Sequence, residues 1–169
     1  MGILLAIAER TRREPPHGVR VLLLSTGSEE SFSEGMQAFV ECHRHELDAR
    51  TSEVICLECL GGPTLIVPEG EGMLRMRDYP LQTRESLAEA AGRAGVDIRR
   101  GIQTVGASDA LIALRAGYPV ATLASVDFTN LPINYHGPTD TPDALHWSTI
   151  EDAIAVCEQF LLARARAAD

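Results

Sequence analysis

The stretch Val19-Arg20-Val21-Leu22-Leu23-Leu24-Ser25-Thr26, followed at once by Gly27-Ser28-Glu29-Glu30, decides the fold. A run this apolar and branched reads as a buried strand, of the kind found in a sheet sandwiched between helices. The chain then turns into a helical pattern from Glu30 to about Leu47, with Phe32, Met36, Phe39 and Val40 on one side. The same alternation extends in both directions. Ile3 to Arg13 reads as an amphipathic helix stopped by Pro15-Pro16, and Glu53 to Leu57 as a strand ended by Gly61-Gly62-Pro63. Thr64 to Val67 reads as a strand, Leu81 to Ala94 as a helix ending at Gly95, and Ile98 to Val105 as a strand. Ser108 to Arg115 is helical up to Gly117, Pro119 to Val126 (PVATLASV) is a last buried strand, and Ile150 to about Arg164 is the closing helix. The expected fold class is α/β: three α/β/α layers around a mixed, mostly parallel sheet, in one domain spanning residues 1–169.

Composition agrees with that class and removes several functions. A chain of 169 residues, 45% apolar and 23% charged, is an ordinary soluble domain able to bury roughly 70% of its unfolded surface. All fifteen basic residues are arginines. Without lysine there is no Schiff base to a carbonyl or pyridoxal cofactor, no Walker A lysine and no Ser-Lys dyad. A net charge of -9 opposes a phosphate backbone, and the arginines are scattered, so nucleic acid is discarded as a partner. The four cysteines, Cys42, Cys56, Cys59 and Cys157, do not form a disulfide framework in a chain this long. The apolar run Ile3 to Ala8 is too short for a span, and its charges follow it, which is the wrong side for a signal peptide. No membrane partner and a reducing, cytoplasmic location are expected.

Ser28-Glu29-Glu30 lies where a strand ends and a helix begins, the crevice in which open α/β sheets place their sites. Adjacent carboxylates there can divide labour, one ligating a cation while the other accepts a proton from an activated water. Taken alone, the pair fits first-turn acids complementing a helix dipole, with Ser28 as cap, better than it fits a site. Glu58 interrupts the apolar run VICLECL at the end of the next strand, so it stands either at a wet rim or beside a positive partner such as a metal ion. His136 sits in the long segment Asp127 to Trp147, inside Asn134-Tyr135-His136-Gly137-Pro138-Thr139-Asp140-Thr141-Pro142-Asp143, dense in groups that fix turns and orient an imidazole.

These residues, taken in order, resemble a known family. Val21-Leu22-Leu23-Leu24 before Glu29-Glu30, Leu57-Glu58-Cys59-Leu60-Gly61, Ser108-Asp109, and Tyr135-His136 with Asp140-Thr141-Pro142-Asp143 are similar to the M28 zinc aminopeptidases and related carboxypeptidases. The resemblance implies a hydrolase-like zinc exopeptidase fold with two zinc ions and a peptide or amino-acid-derivative substrate. It gives Glu29 the place of the general base, Glu30 that of a ligand to one zinc, Glu58 that of a ligand to the other, and His136 that of the final histidine ligand. Tyr135 matches a tyrosine that polarises the scissile carbonyl in some members. The family more often has aspartate at the position of Glu58. It also supplies a further histidine and a bridging aspartate upstream of a helix resembling Ile3 to Arg13, so the chain is expected to lack the first strands and two ligands. It is therefore expected to bind zinc loosely, to be inactive alone, and to self-associate through an unpaired edge as a homo-oligomer.

Rival readings come from other residues. Gly106-Ala107-Ser108-Asp109-Ala110 follows a strand and opens a helix as a nucleophile elbow does, so a serine hydrolase using Ser108 and His136 is an alternative, with Ser108 as a plain helix cap its bland counterpart. Cys56 and Cys59 have redox spacing but lie in or just beyond a strand, whereas a redox pair opens a helix. A noncatalytic fragment or binding module of the same fold is the alternative from a different class.

Overall fold

The computed structural model describes residues 1–168. Helix α1 (Gly2–Arg13) is followed by an irregular segment, a short 3-10 turn at Glu29–Ser31 and helix α2 (Glu34–His43). Strands β1 (Val54–Glu58), β2 (Thr64–Ile66), β3 (Gly70–Glu71) and β4 (Arg77–Asp78) lead to helix α3 (Leu81–Ala94). Then come β5 (Gln103–Thr104), α4 (Asp109–Arg115), β6 (Val120–Val126) and, after a long loop, α5 (Trp147–Ala168).

The main sheet has the order β1-β6-β2, with β1 parallel and β2 antiparallel to β6. A second sheet, β4-β3-β5, pairs β3 antiparallel to β4 and parallel to β5. An isolated parallel bridge joins Ile66 of β2 to Arg99, in the segment that leads into β5. Side chains alternate across the main sheet, as the two-residue period of a strand requires. Ile55 and Leu57 of β1 and Ala121 and Leu123 of β6 join Ile7, Leu87, Ala153 and Val156 of α1, α3 and α5. Val54, Cys56 and Val120 point the other way, to Met36 of α2 and Ala110 and Ala113 of α4. Both faces are covered, which is why β6 is buried at every position and why these strands read as continuous apolar runs.

Helix α3 ends where its sequence says it should. Gly95 adopts φ +71°, and the Gly95 and Val96 amides close onto Gly92 and Ala91 carbonyls, a left-handed stop that glycine takes without Cβ strain. Val96 then packs on the core cluster that contains Leu87.

Several expectations need correction. Val19 to Thr26 forms no regular element and joins no sheet, and Leu22, Leu23 and Leu24 are exposed. Its apolar composition signals a strand, but burial also needs a neighbour, and β1 ends its sheet without one on that side. The helix expected from Glu30 begins at Glu34, because Ser28, Phe32 and Ser33 all take positive φ and Ser28 makes no side-chain cap. Only Gln103–Thr104 of the expected strand 98–105 is paired as a strand, although Arg99 bridges to β2. The closing helix is longer than expected at both ends.

Candidate active site

The ends of β1 and β6, the turn at Glu29 and the 127–146 loop meet at one rim of the main sheet. Glu30 Oε1 and His136 Nε2 lie 2.9 Å apart, both largely exposed. The Tyr135 ring packs at 4.1 Å, tilted 60°, on the His136 imidazole. His136 itself has φ +54°, Asn134 +56°, Ser28 +55° and Cys59 +46°. Left-handed non-glycine residues on this scale persist only where the surroundings hold them, and they gather at functional sites.

Glu29 is half-buried, and burial, followed by the charges of Glu58, Glu30, Asp109 and Glu71, pushes its carboxyl above the usual range. Tyr135 is raised in the same way, by burial and then by Glu30, Cys59, Glu29 and Glu58. Every charge acting on Glu29 is thus another carboxylate. The Cys59 thiol donates to Glu58 Oε1 at 3.0 Å, and burial and that bond push the thiol well up.

Behind the rim, Glu71 is 4% exposed and has no basic partner among the described residues. It accepts the Ser108 amide at 2.9 Å and the Ser108 hydroxyl at 3.1 Å, while burial drives its carboxyl upward. Ser108 Oγ also accepts the Ala110 amide, capping α4. The Ser108 hydroxyl is therefore committed to Glu71, His136 contacts Glu30, and the elbow reading loses its nucleophile–base contact. Cys56, facing Ser108 at 4.0 Å, is pushed up to about 12 by burial, which suits an inert thiol and not a redox pair. The next residue, Asp109, receives the Thr26 hydroxyl on Oδ2 and leaves Oδ1 buried without a partner.

The residues named from sequence therefore divide. Glu30 and His136 come together, with Tyr135 on the imidazole and Glu29 adjacent; Glu58 lies close enough to act on Glu29 but is bonded to Cys59. Among the described residues no three His, Cys, Asp or Glu side chains converge as a metal centre would need. The pair nonetheless suits zinc. Two ligands about 2.0–2.2 Å from one tetrahedral ion stand about 3.3–3.6 Å from each other, so a small outward shift of these exposed side chains would admit the ion, and imidazole with carboxylate is a donor set zinc takes. The orphaned Oδ1 of Asp109 adds a buried acceptor in the same acidic neighbourhood.

Glu71 and Ser125 also belong to this region and were not among the candidates from the sequence. Glu71 did carry a signal, a carboxylate between Gly70 and Gly72, where an added Cβ would collide with the β4 hairpin backbone. Ser125, inside an apolar strand, carried none.

The pattern of Peptidase family M28 matches residues 1–161. No curated protein matches the chain significantly. Among solved structures, the zinc aminopeptidase BSAP of Bacillus subtilis superposes with a TM-score of 0.76 at 22% identity, over 96% of this chain and 40% of that one. The aminopeptidase of Aneurinibacillus sp. strain AM-1 gives 0.72 at 19% identity, over 96% and 37%. A glutaminyl cyclase from an Acidobacteriales bacterium gives 0.73 at 14%, over 98% and 59%. At such identities the likeness is one of fold. The chain spans about two fifths of the length of the two solved aminopeptidases.

Proposed function

This chain belongs to peptidase family M28, and from that premise we propose that it works as a metal-dependent exopeptidase acting at the amino terminus of peptides. The observation that carries the reading is the Glu30–His136 pair, with Glu29 beside it and Tyr135 on the imidazole. Glu30 and His136 would hold zinc, and Glu58 would serve a second ion. Bound zinc supplies Lewis-acid polarisation of the scissile carbonyl and acidifies water toward a pKa of about 7. Glu29 takes a proton from the attacking water on its carboxylate and returns it to the departing amine. The Tyr135 hydroxyl donates to the carbonyl oxygen as negative charge develops there. The surrounding Glu58, Asp109 and Glu71 favour a cationic α-amino group over a terminal carboxylate, which would need a basic residue to receive it. No described helix is long and apolar enough to cross a membrane, and the four thiols are free, which suits the reducing cytoplasm.

The test is a metal titration and a hydrolysis assay on the purified protein. Zinc is expected to bind and to do so more weakly in Glu30→Ala and His136→Ala; release of a chromogenic amine from an aminoacyl substrate should depend on added metal and stop on chelation. Metal binding without turnover would favour a noncatalytic binding module. Ring closure of glutaminyl peptides without hydrolysis would move the reaction to that of the Acidobacteriales relative.

A further inference from the structure

Ser125 on β6 is 1% exposed, and its hydroxyl is fully used. Oγ accepts the Gly61 amide at 3.0 Å and the Gly62 amide at 2.7 Å, and donates to the Cys59 carbonyl at 2.6 Å. All three partners belong to the turn that follows Glu58. That turn is unusual in backbone terms, with Cys59 at φ +46° and Gly61 at φ +139°. It is also closed from both sides: a Cβ on Gly62 would meet Ser125 Oγ at 3.0 Å, and one on Gly61 would meet Leu145 Cδ2 at 2.6 Å. The Gly61 carbonyl accepts the His146 amide at 2.9 Å, at the end of the loop that carries Tyr135 and His136. One hydroxyl thus ties β6 to the turn that ends β1, and that turn ties down the histidine-bearing loop.

We propose that Ser125 is a positioning residue, whose hydroxyl locks the Cys59–Gly62 turn and thereby aims Glu58 and anchors the loop of His136. The proposal rests on the reading of Glu58 and His136 as metal-facing groups, and it names the device that sets them. Strand β6 does not need this hydroxyl, since Ser125 pairs with Leu65 through the backbone ladder. Removing Oγ leaves two buried amides and a carbonyl without partners, and buried backbone groups left unpaired are costly. The turn, held by few other bonds, is the part free to move and recover them.

The experiment compares Ser125→Ala with Leu87→Ala, which lowers stability through the α3 core without removing any hydrogen bond of the turn. Iodoacetamide labelling followed by peptide mass analysis reads Cys59, with exposed Cys42 as internal reference. Ser125→Ala is expected to raise the Cys59 rate about tenfold, the worth of one lost hydrogen bond, and to weaken zinc binding by about tenfold or more. Leu87→Ala should do neither. In the unmodified protein, the Gly61, Gly62 and His146 amides should resist hydrogen exchange as β6 amides do. An unchanged Cys59 rate in Ser125→Ala, an equal rise in Leu87→Ala, or free exchange at those three amides overturns the latch. Failure of the unmodified protein to bind zinc overturns the metal reading instead, and the labelling still decides whether Ser125 holds the turn.

Discussion

Glu71 is a carboxylate with no cation beside it among the described residues, held by hydrogen bonds from Ser108 against the cost of its own burial. Because its carboxyl is raised in the folded state, folding favours the protonated form: the stability it contributes is fully present below the ordinary 4.5 and is lost as pH rises through the raised value. Glu71→Gln is therefore expected to flatten the fall in stability from pH 4.5 toward neutrality, measured by urea unfolding across that interval. Glu71→Ala should instead cost about 1–3 kcal/mol at all pH values, because the buried Ser108 amide is left without an acceptor. Glu29 and Glu30 are neighbours with different surroundings, the first half-buried and the second against His136. Glu29→Gln should keep its metal and lose about 10²–10⁴-fold in turnover, whereas Glu30→Gln should lose metal. Elemental analysis after dialysis decides, and equal metal loss in the two variants would sink the division of roles. The sequence singled out the double glutamate because it falls where a strand-like run gives way to a helical pattern. It could not show that His136 reaches Glu30, since no local pattern encodes a contact between residues so distant in the chain.

At the scale of elements, α3 was legible to the residue, because an apolar face between Pro80 and a left-handed Gly95 contains its own start and stop. Its Leu87 is fully buried, so Leu87→Ala should cost about 2–5 kcal/mol, read as a drop in chemical unfolding midpoint. The β3–β4 hairpin was illegible. Its strands are two residues long, glycine-bearing and charged, and they exist because β5 offers ladder partners from far along the chain. Val19 to Thr26 shows the opposite case, a strand-like sequence with Leu22 52% exposed and nothing paired to it. An unpaired apolar segment with exposed leucines, in a molecule that also leaves the edge of β1 open, is a template for association. Light scattering after gel filtration should show a dimer or larger species that Leu22→Glu returns to monomer; an unchanged profile would place any association elsewhere.

Over the whole molecule, the core and the rim are separate. Both large apolar clusters close between the main sheet and its helices without using Glu29, Glu30 or His136. Removing metal by chelation should therefore stop hydrolysis while shifting the thermal midpoint by no more than about 4 °C, the scale of 1 kcal/mol in a domain of this size. A large loss of midpoint would mean that the metal organises the fold itself. The sequence by itself determined the layered α/β class, most of the helices and strands that build it, the exclusion of lysine chemistry and the family, because periodicity, glycine stops and short motifs are local and survive in any linear reading. Only the tertiary structure decided that Leu22 to Leu24 lack a partner, that Ser108 serves Glu71 and not His136, and that Ser125 holds the turn beyond Glu58. These depend on the orders β1-β6-β2 and β4-β3-β5, which set side by side segments that the chain keeps far apart. Such non-local pairing is fixed by which faces can be buried together, and no window of sequence contains that information.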